Sequence, residues 1–129
     1  MLGIDIVKIS RLQSLESKFG MRGLKRFLND EEIALCYRHK NCTQARAYNF
    51  SRIAGFFAAK EALSKALGCG ISKELGFLDM CINIDSKGAP HIKLDNKAKT
   101  HFSQKIPFNY IALSITHESD FAIACVTLR

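Results

Sequence analysis

Between Asn49 and Leu67 the chain runs without a proline and then meets Gly68-Cys69-Gly70, where its apolar periodicity changes. Upstream of that turn, apolar residues recur at helical spacing. Downstream, they alternate or gather in short β-branched runs. A chain written this way must pack helices from its first half on an antiparallel β-sheet from its second, an α+β fold.

Residues 2–7 read as a short strand interrupted by one acid, Asp5, and this strand is free to join the later sheet. Leu12, Leu15 and Phe19 mark a helical face that stops at Gly20, and a basic turn or short helix follows from Met21 to Leu28. Asn29 with Glu32 has the spacing of a capping box, and the helix it opens is expected to reach about His39. The polar stretch from Lys40 to Tyr48 reads as a loop, and Asn49 or Ser51 as the cap of the longest helix. Beyond Gly70, strands are expected over Phe77–Asp85 and His91–Leu94, a polar helix over Asn96–Lys105, and a second hairpin over Tyr110–Thr116 and Phe121–Leu128.

The 129 residues are 47% hydrophobic and 24% charged, which fits one soluble domain over residues 1–129. No apolar run is long enough to span a membrane, and the first residues carry neither a basic leader nor a long apolar stretch. Five cysteines cannot all pair within one chain and none forms a Cys-x-x-Cys, so reduced thiols in a cytoplasmic protein are expected rather than a disulfide or zinc framework. The formal charge of +7 calls for an anionic partner: nucleic acid, an acidic protein or a phosphorylated small molecule.

At 100° per residue, Phe56, Ala59, Leu63, Ala66 and Leu67 form one stripe of the long helix. Glu61 and Lys65 lie opposite, one turn apart, with Ala54, Ala58 and Ala62 as neighbours. An ordinary i,i+4 ion pair has the same spacing. The alanines are less ordinary, since they let another backbone, a ligand or a subunit come close. Asp5 is costly inside an apolar strand unless it meets a cation, a donor or a water-filled cleft. If the strand brings it beside Glu61, the two carboxylates repel unless a divalent cation sits between them. Two carboxylates, with waters and phosphate oxygens, are the donor set that suits Mg²⁺.

Three stretches carry a family likeness: Gly3-Ile4-Asp5-Ile6-Val7, the run from Phe57 to Gly68 with its Lys60-Glu61-Ala62-x-x-Lys65-Ala66-x-Gly68 core, and Leu113-Ser114-Ile115-Thr116-His117. In order and spacing they resemble the signature segments of the 4′-phosphopantetheinyl transferases, and the short length matches their single-domain branch. The resemblance implies transfer of the phosphopantetheine arm of coenzyme A to a serine of apo acyl carrier protein, in support of fatty acid biosynthesis, with adenosine 3′,5′-bisphosphate leaving. It implies that Asp5 and Glu61 hold Mg²⁺ against the pyrophosphate. Glu61 would take the serine proton, directly or through a metal-ordered water, and Lys65 would stabilise charge on the bridging and leaving oxygens. Catalysis of this kind consists mainly of charge neutralisation and alignment.

The same resemblance implies coenzyme A contacts from Lys60 and Lys65, from the Gly68 and Gly70 turn, and from Ser114 and His117. Arg11 matches a family arginine that docks the acidic carrier, and Arg22, Lys25 and Arg26 would extend that basic surface, with Leu24, Phe27 and Leu28 as its apolar component. Cys69 reads as a small filler, since the transfer needs no covalent enzyme intermediate. Many relatives place an arginine for the 3′-phosphate where this chain has Phe56, so Arg52, Lys60 or Arg46 is expected to take that contact. The family further implies a homotrimer with interfacial active sites, the His117 region coming from a neighbour. Two other readings of the residues stand beside this one. One is a small basic nucleic-acid-binding module, against which the aromatic residues do not alternate with basic ones. The other is a non-catalytic relative that only binds carrier protein.

Overall fold

The computed structural model describes residues 1–38 and 48–129. Strand β1 (Leu2–Lys8) leads into helix α1 (Ile9–Phe19), and two short helices follow, α2 (Met21–Leu24) and α3 (Asp30–Leu35). The long helix α4 (Phe50–Ala66) ends the helical half, and the hairpin β2 (Met80–Ile84) and β3 (Pro90–Leu94) comes next. Helix α5 (Asn96–Ser103) and strands β4 (Ile111–His117) and β5 (Phe121–Leu128) complete the chain.

The architecture is α+β, but the expected sheet is divided in two. β1 joins the C-terminal hairpin in a three-stranded antiparallel sheet of order β1-β5-β4, while β2 and β3 pair only with each other. In register, Asp5 stands opposite Ala124, and Ala124 opposite Ile115. Strand alternation turns Gly3, Asp5 and Val7 toward α4 and leaves Leu2, Ile4 and Ile6 on the outer face. Those three are 64%, 58% and 58% exposed, so the outer face of this sheet is apolar and open.

α4 lies across the inner face, and small residues on both elements set how closely. A side chain at Gly3 would overlap the carbonyl oxygen of Ala62, and one at Gly55 would stand 2.8 Å from Ile115 Cγ2. The alanine side of α4 is therefore not an open face: Ala54, Ala58 and Ala62 are fully buried. Of the alternatives the alanines offer, the backbone of β1 is the one that comes close. The expected stripe of Phe56, Ala59, Leu63, Ala66 and Leu67 is buried as well, so α4 is covered on nearly every side.

Asn29 and Glu32 form the expected capping box, each accepting the other's backbone N–H at 2.8 Å. The helix they open stops at Leu35 rather than near His39, because Cys36 takes a terminal turn and its carbonyl accepts the Asn49 N–H at 2.7 Å. Tyr37 and Tyr48 bridge there with stacked rings. His39 and the expected loop, Arg46 included, lie outside the described residues apart from Tyr48. Asn49 caps α4 by accepting the Arg52 N–H. Phe77–Asp79 is a 3₁₀ turn rather than the start of a strand, since the Asp79 carboxylate accepts the Gly76 N–H at 2.7 Å and closes the chain there. Among the described residues Cys36, Cys69, Cys81 and Cys125 are free thiols. No helix among those residues is long and apolar enough to cross a membrane.

Candidate active site

Tight packing of β1 on α4 brings Asp5, Glu61 and Lys65 together. Lys65 Nζ donates to Asp5 Oδ1 at 2.8 Å and to the Ile4 carbonyl at 3.0 Å. The Asp5 side chain is 15% exposed and the Lys65 side chain 49%, so the pair sits at the surface rather than in the core. Glu61 is half-buried beside it. Burial pushes its carboxyl above the ordinary glutamate value, and the Asp5 charge pushes it further, against the pull of Lys65 and Arg11. Two carboxylates within electrostatic reach, one of them raised in proton affinity, form a site that a small hard cation would relieve. Among the described residues no cluster of three or more His, Cys, Asp or Glu could hold a metal. A pair of oxygen donors still fits Mg²⁺, which commonly takes one or two carboxylates and fills its shell with water and substrate phosphates.

Lys60 does not join this site. Its side chain is fully buried, Nζ donating to Glu32 Oε1 at 2.8 Å and to the Phe27 carbonyl at 2.7 Å, so it cannot meet a coenzyme phosphate from there. The coenzyme role expected of Lys60 is therefore corrected: its ammonium is committed inside the protein. Burial lowers its pKa, and Glu32 opposes that shift. The sequence signal for Glu32 was its capping-box spacing, which accounts for one of its partners and conceals the others.

The residues expected at the nucleotide end divide. His117 and Arg52 share a cavity of about 180 Å³ with Gly55, Phe56, Gly88 and Pro90. Phe56 itself is buried in the core. Arg52 is exposed and donates from Nη1 to the Leu35 carbonyl at 2.8 Å, leaving the rest of its guanidinium toward that cavity. Ser114 lies on the outer face of β4, exposed and paired with Cys125 in register, and is turned away from α4. Within one chain it does not meet Asp5 or Glu61.

Gly68 and Gly70 adopt φ of 80° and 62°, a conformation that favours glycine, and no atom lies within 4 Å of where a side chain would stand. The turn is thus open to an approaching group. Its amides are not free to hold phosphate, however: Gly68 N–H bonds the Lys65 carbonyl, and Cys69 and Gly70 N–H bond the Ser64 carbonyl. Burial raises the Cys69 thiol above its ordinary pKa, as suits a filler rather than a nucleophile.

The basic residues cluster along α1 and α2. The Arg11 guanidinium lies over the Phe57 ring at 5.2 Å, and that of Arg26 over Phe19 at 4.6 Å. Arg11, Leu15, Lys18, Phe19 and Phe57 line a shallow groove. Arg22 and Lys25 are exposed beside it, Lys25 standing 3.7 Å from Asp30. Leu24, Phe27 and Leu28 are core residues and cannot supply the apolar part of this surface; exposed Phe19 and Met21 can.

A model of the 4′-phosphopantetheinyl transferase superfamily matches residues 1–126. The chain is 46% identical to the holo-[acyl-carrier-protein] synthase of Sulfurimonas denitrificans over 129 residues, covering 100% of this chain and 94% of that protein. The Helicobacter pylori holo-[acyl-carrier-protein] synthase in complex with coenzyme A superposes with a TM-score of 0.85 at 43% identity, over 100% of both chains. A Bacillus anthracis holo-(acyl-carrier-protein) synthase in complex with CoA (3′,5′-ADP) gives a TM-score of 0.73 at 34% identity, over 98% of this chain and 93% of that one. The α+β fold with its paired carboxylates is thus that of a transferase, and the chain belongs to the 4′-phosphopantetheinyl transferase superfamily. Within that superfamily it falls in the holo-[acyl-carrier-protein] synthase branch.

Proposed function

We propose that the protein transfers the 4′-phosphopantetheine arm of coenzyme A to a serine hydroxyl of apo acyl carrier protein, releasing adenosine 3′,5′-bisphosphate, and so supports fatty acid biosynthesis in the cytoplasm. The observation that carries this reading is the junction of Asp5, Glu61 and Lys65 at the surface where β1 meets α4. Coenzyme A as donor is supported by the bound coenzyme of the Helicobacter pylori and Bacillus anthracis relatives.

Asp5 and Glu61 would hold Mg²⁺, which when bound neutralises pyrophosphate charge and orders water. Glu61 removes the serine proton, and burial with the Asp5 charge gives it a greater proton affinity than an ordinary glutamate, as a general base needs. Lys65 turns from Asp5 toward the phosphate oxygens and stabilises charge as the bond to the leaving bisphosphate breaks. Arg52 and His117 form the anion site for the nucleotide end, with Arg52 replacing the cation absent at Phe56. Arg11, Arg22, Lys25 and Arg26 dock the acidic carrier, with Phe19 and Met21 as the apolar contact. Arg11 and Arg26 lie over Phe57 and Phe19, so these two arginines pair with rings of the chain itself.

The open outer face of Leu2, Ile4 and Ile6, joined by Phe121 of β5, is the surface through which protomers associate as a homotrimer. Such packing would bring the His117 end of β4, with outward-facing Ser114, to the carboxylate pair of a neighbour. The deciding experiment is mass spectrometry of apo carrier protein incubated with coenzyme A, with and without Mg²⁺. A mass gain equal to the phosphopantetheine arm, present only with the cation, is the expected outcome. An unmodified carrier under both conditions would sink the reading.

A further inference from the structure

The Lys60–Glu32 pair takes no part in the reaction described above, yet both side chains have 0% exposure. Burying two opposite charges is a weak way to gain stability, because an apolar pair of similar volume often serves as well or better. What such a pair does supply is direction, since each of its hydrogen bonds fixes a partner. Glu32 Oε1 accepts from Lys60 Nζ and from the Asn29 N–H, each at 2.8 Å, and Oε2 accepts from the Ile82 N–H at 2.9 Å. Lys60 Nζ also holds the Phe27 carbonyl at 2.7 Å. Four segments meet at one buried point: the stretch after α2, the start of α3, strand β2 and the middle of α4.

Two of those segments matter for the transfer. Lys60 immediately precedes Glu61 on α4, and Phe27 immediately follows Lys25 and Arg26. A second connection runs beside the first. The Phe27 ring packs edge-on against Phe57 at 5.2 Å, and the Arg11 guanidinium lies over the Phe57 ring at 5.2 Å. The basic surface is thereby tied to the catalytic helix by the hydrogen bond from Lys60 to the Phe27 carbonyl and by the packing of Phe27 on Phe57.

We propose that the buried Lys60–Glu32 pair is a positioning device that holds the carrier-docking segment in register with Glu61. The proposal rests on the site reading given above. With the carrier seated on Arg11, Arg22, Lys25 and Arg26, the distance from its serine to Glu61 is set by how Phe27 is fixed to α4. A misplacement of about 1 Å at such a step can cost on the order of a hundredfold in rate. Without the pair, coenzyme binding and the docking surface persist while the acceptor serine is misaligned.

The test is the Glu32→Gln/Lys60→Met double variant of the full chain, assayed with coenzyme A, Mg²⁺ and apo carrier protein. Active molecules are counted by calorimetric titration with coenzyme A. The expected result is a parental coenzyme stoichiometry, a carrier KM within about twofold of parent, and a kcat lower by about tenfold or more. A parental kcat, or a rate loss that merely follows a loss of coenzyme stoichiometry, would overturn the positioning role. Should the double variant not fold, Lys60→Met alone, which removes the bond to the Phe27 carbonyl and leaves Glu32 its Asn29 and Ile82 partners, must show the same split. Failure of that variant to fold would make the pair structural and end the proposal. Parental transfer by Glu61→Gln is a separate outcome: it would overturn the site reading, and the positioning role with it.

Discussion

The Lys65 ammonium rests on the Asp5 carboxylate at 2.8 Å, on an oxygen that a divalent cation would need. The lysine neutralises the acid, so under the proposed function cation entry would be coupled to release of Lys65 toward phosphate. Lys65→Met is therefore expected to bind Mn²⁺ more tightly than the parent in the absence of substrate, while transfer activity falls. Lys65 is half exposed, so the competition amounts to roughly 1 kcal/mol or less, a gain of up to about fivefold. Mn²⁺ titration followed by electron paramagnetic resonance reads it directly. Unchanged or weaker Mn²⁺ binding would show that the ammonium does not compete.

Glu61 gives the site a signature in stability. Its carboxyl is raised above 4.5 in the folded protein, by burial first and by Asp5 second. The folded state therefore binds this proton more tightly than the unfolded chain. The stability linked to that proton is fully present below pH 4.5 and is lost as the pH rises through the folded value. At neutral pH the ionised carboxylate is a liability to the metal-free protein. Glu61→Gln is expected to abolish transfer yet raise the Tm at pH 7.5, with the gain shrinking as the pH approaches 4.5. Parallel thermal scans of both proteins at several pH values would reveal it. A lower Tm for the variant at pH 7.5 would count against the repulsive environment described.

Gly3 is the residue that lets β1 reach α4. Because a methyl group there would overlap the Ala62 carbonyl oxygen, Gly3→Ala must push the strand off the helix. Overpacking of this kind costs about 1–3 kcal/mol. The same displacement separates Asp5 from Glu61, so Mn²⁺ affinity should fall along with stability. Denaturant unfolding with a parallel metal titration gives both quantities, and parental values for both would mean the contact is easily relaxed.

What the sequence discloses depends on how local the cause is. The Asn29–Glu32 cap, the turn at Gly68 and the C-terminal hairpin follow from neighbours in the chain, and the structure has them. The junction of Asp5 with the long helix was legible too, because an acid inside an apolar strand needs a partner of its own. Lys60 was misread, since nothing near it in sequence announces Glu32 on a distant helix. The alanines of α4 announce a close neighbour (a backbone, a ligand or a subunit) without saying which, because the strand they admit lies more than fifty residues upstream. Leu24, Phe27 and Leu28 alternate with basic residues and looked like surface. Their burial depends on the Phe57 and Phe77 rings that close over Phe27, a contact between distant segments.

Arg52 stands at the mouth of the cavity it shares with His117, one turn before the core residue Phe56. From Arg52 to Glu61 the helix advances roughly 14 Å at 1.5 Å per residue, which keeps this cation well away from the carboxylate pair of its own chain. Its contribution should therefore concern the nucleotide end of the donor alone. Arg52→Ala is expected to weaken coenzyme A binding by about tenfold or more, the scale of a lost charged hydrogen bond. Binding of 3′-dephospho-coenzyme A should change little. Calorimetry with both ligands makes the comparison, and equal losses would place Arg52 away from the 3′-phosphate.

The Arg11 guanidinium lies over the Phe57 ring at 5.2 Å, so it meets a partner already placed. Preorganisation of this kind favours a bidentate grip on an acidic side chain, which a lysine in the same place cannot make. Arg11→Ala is accordingly expected to raise the KM for carrier protein by about fivefold to tenfold, a charge-assisted contact being worth on the order of 1 kcal/mol or somewhat more. Arg11→Lys should recover only part of that loss. The KM for coenzyme A should stay near the parental value, although Arg11 also lowers the proton affinity of Glu61 to some degree. That second influence predicts a small upward drift of the activity profile along the pH axis in Arg11→Ala, visible in kcat rather than in the carrier KM. Steady-state kinetics with each substrate varied in turn, repeated across pH, separates the two effects. Equal changes in both Michaelis constants would remove Arg11 from the docking surface.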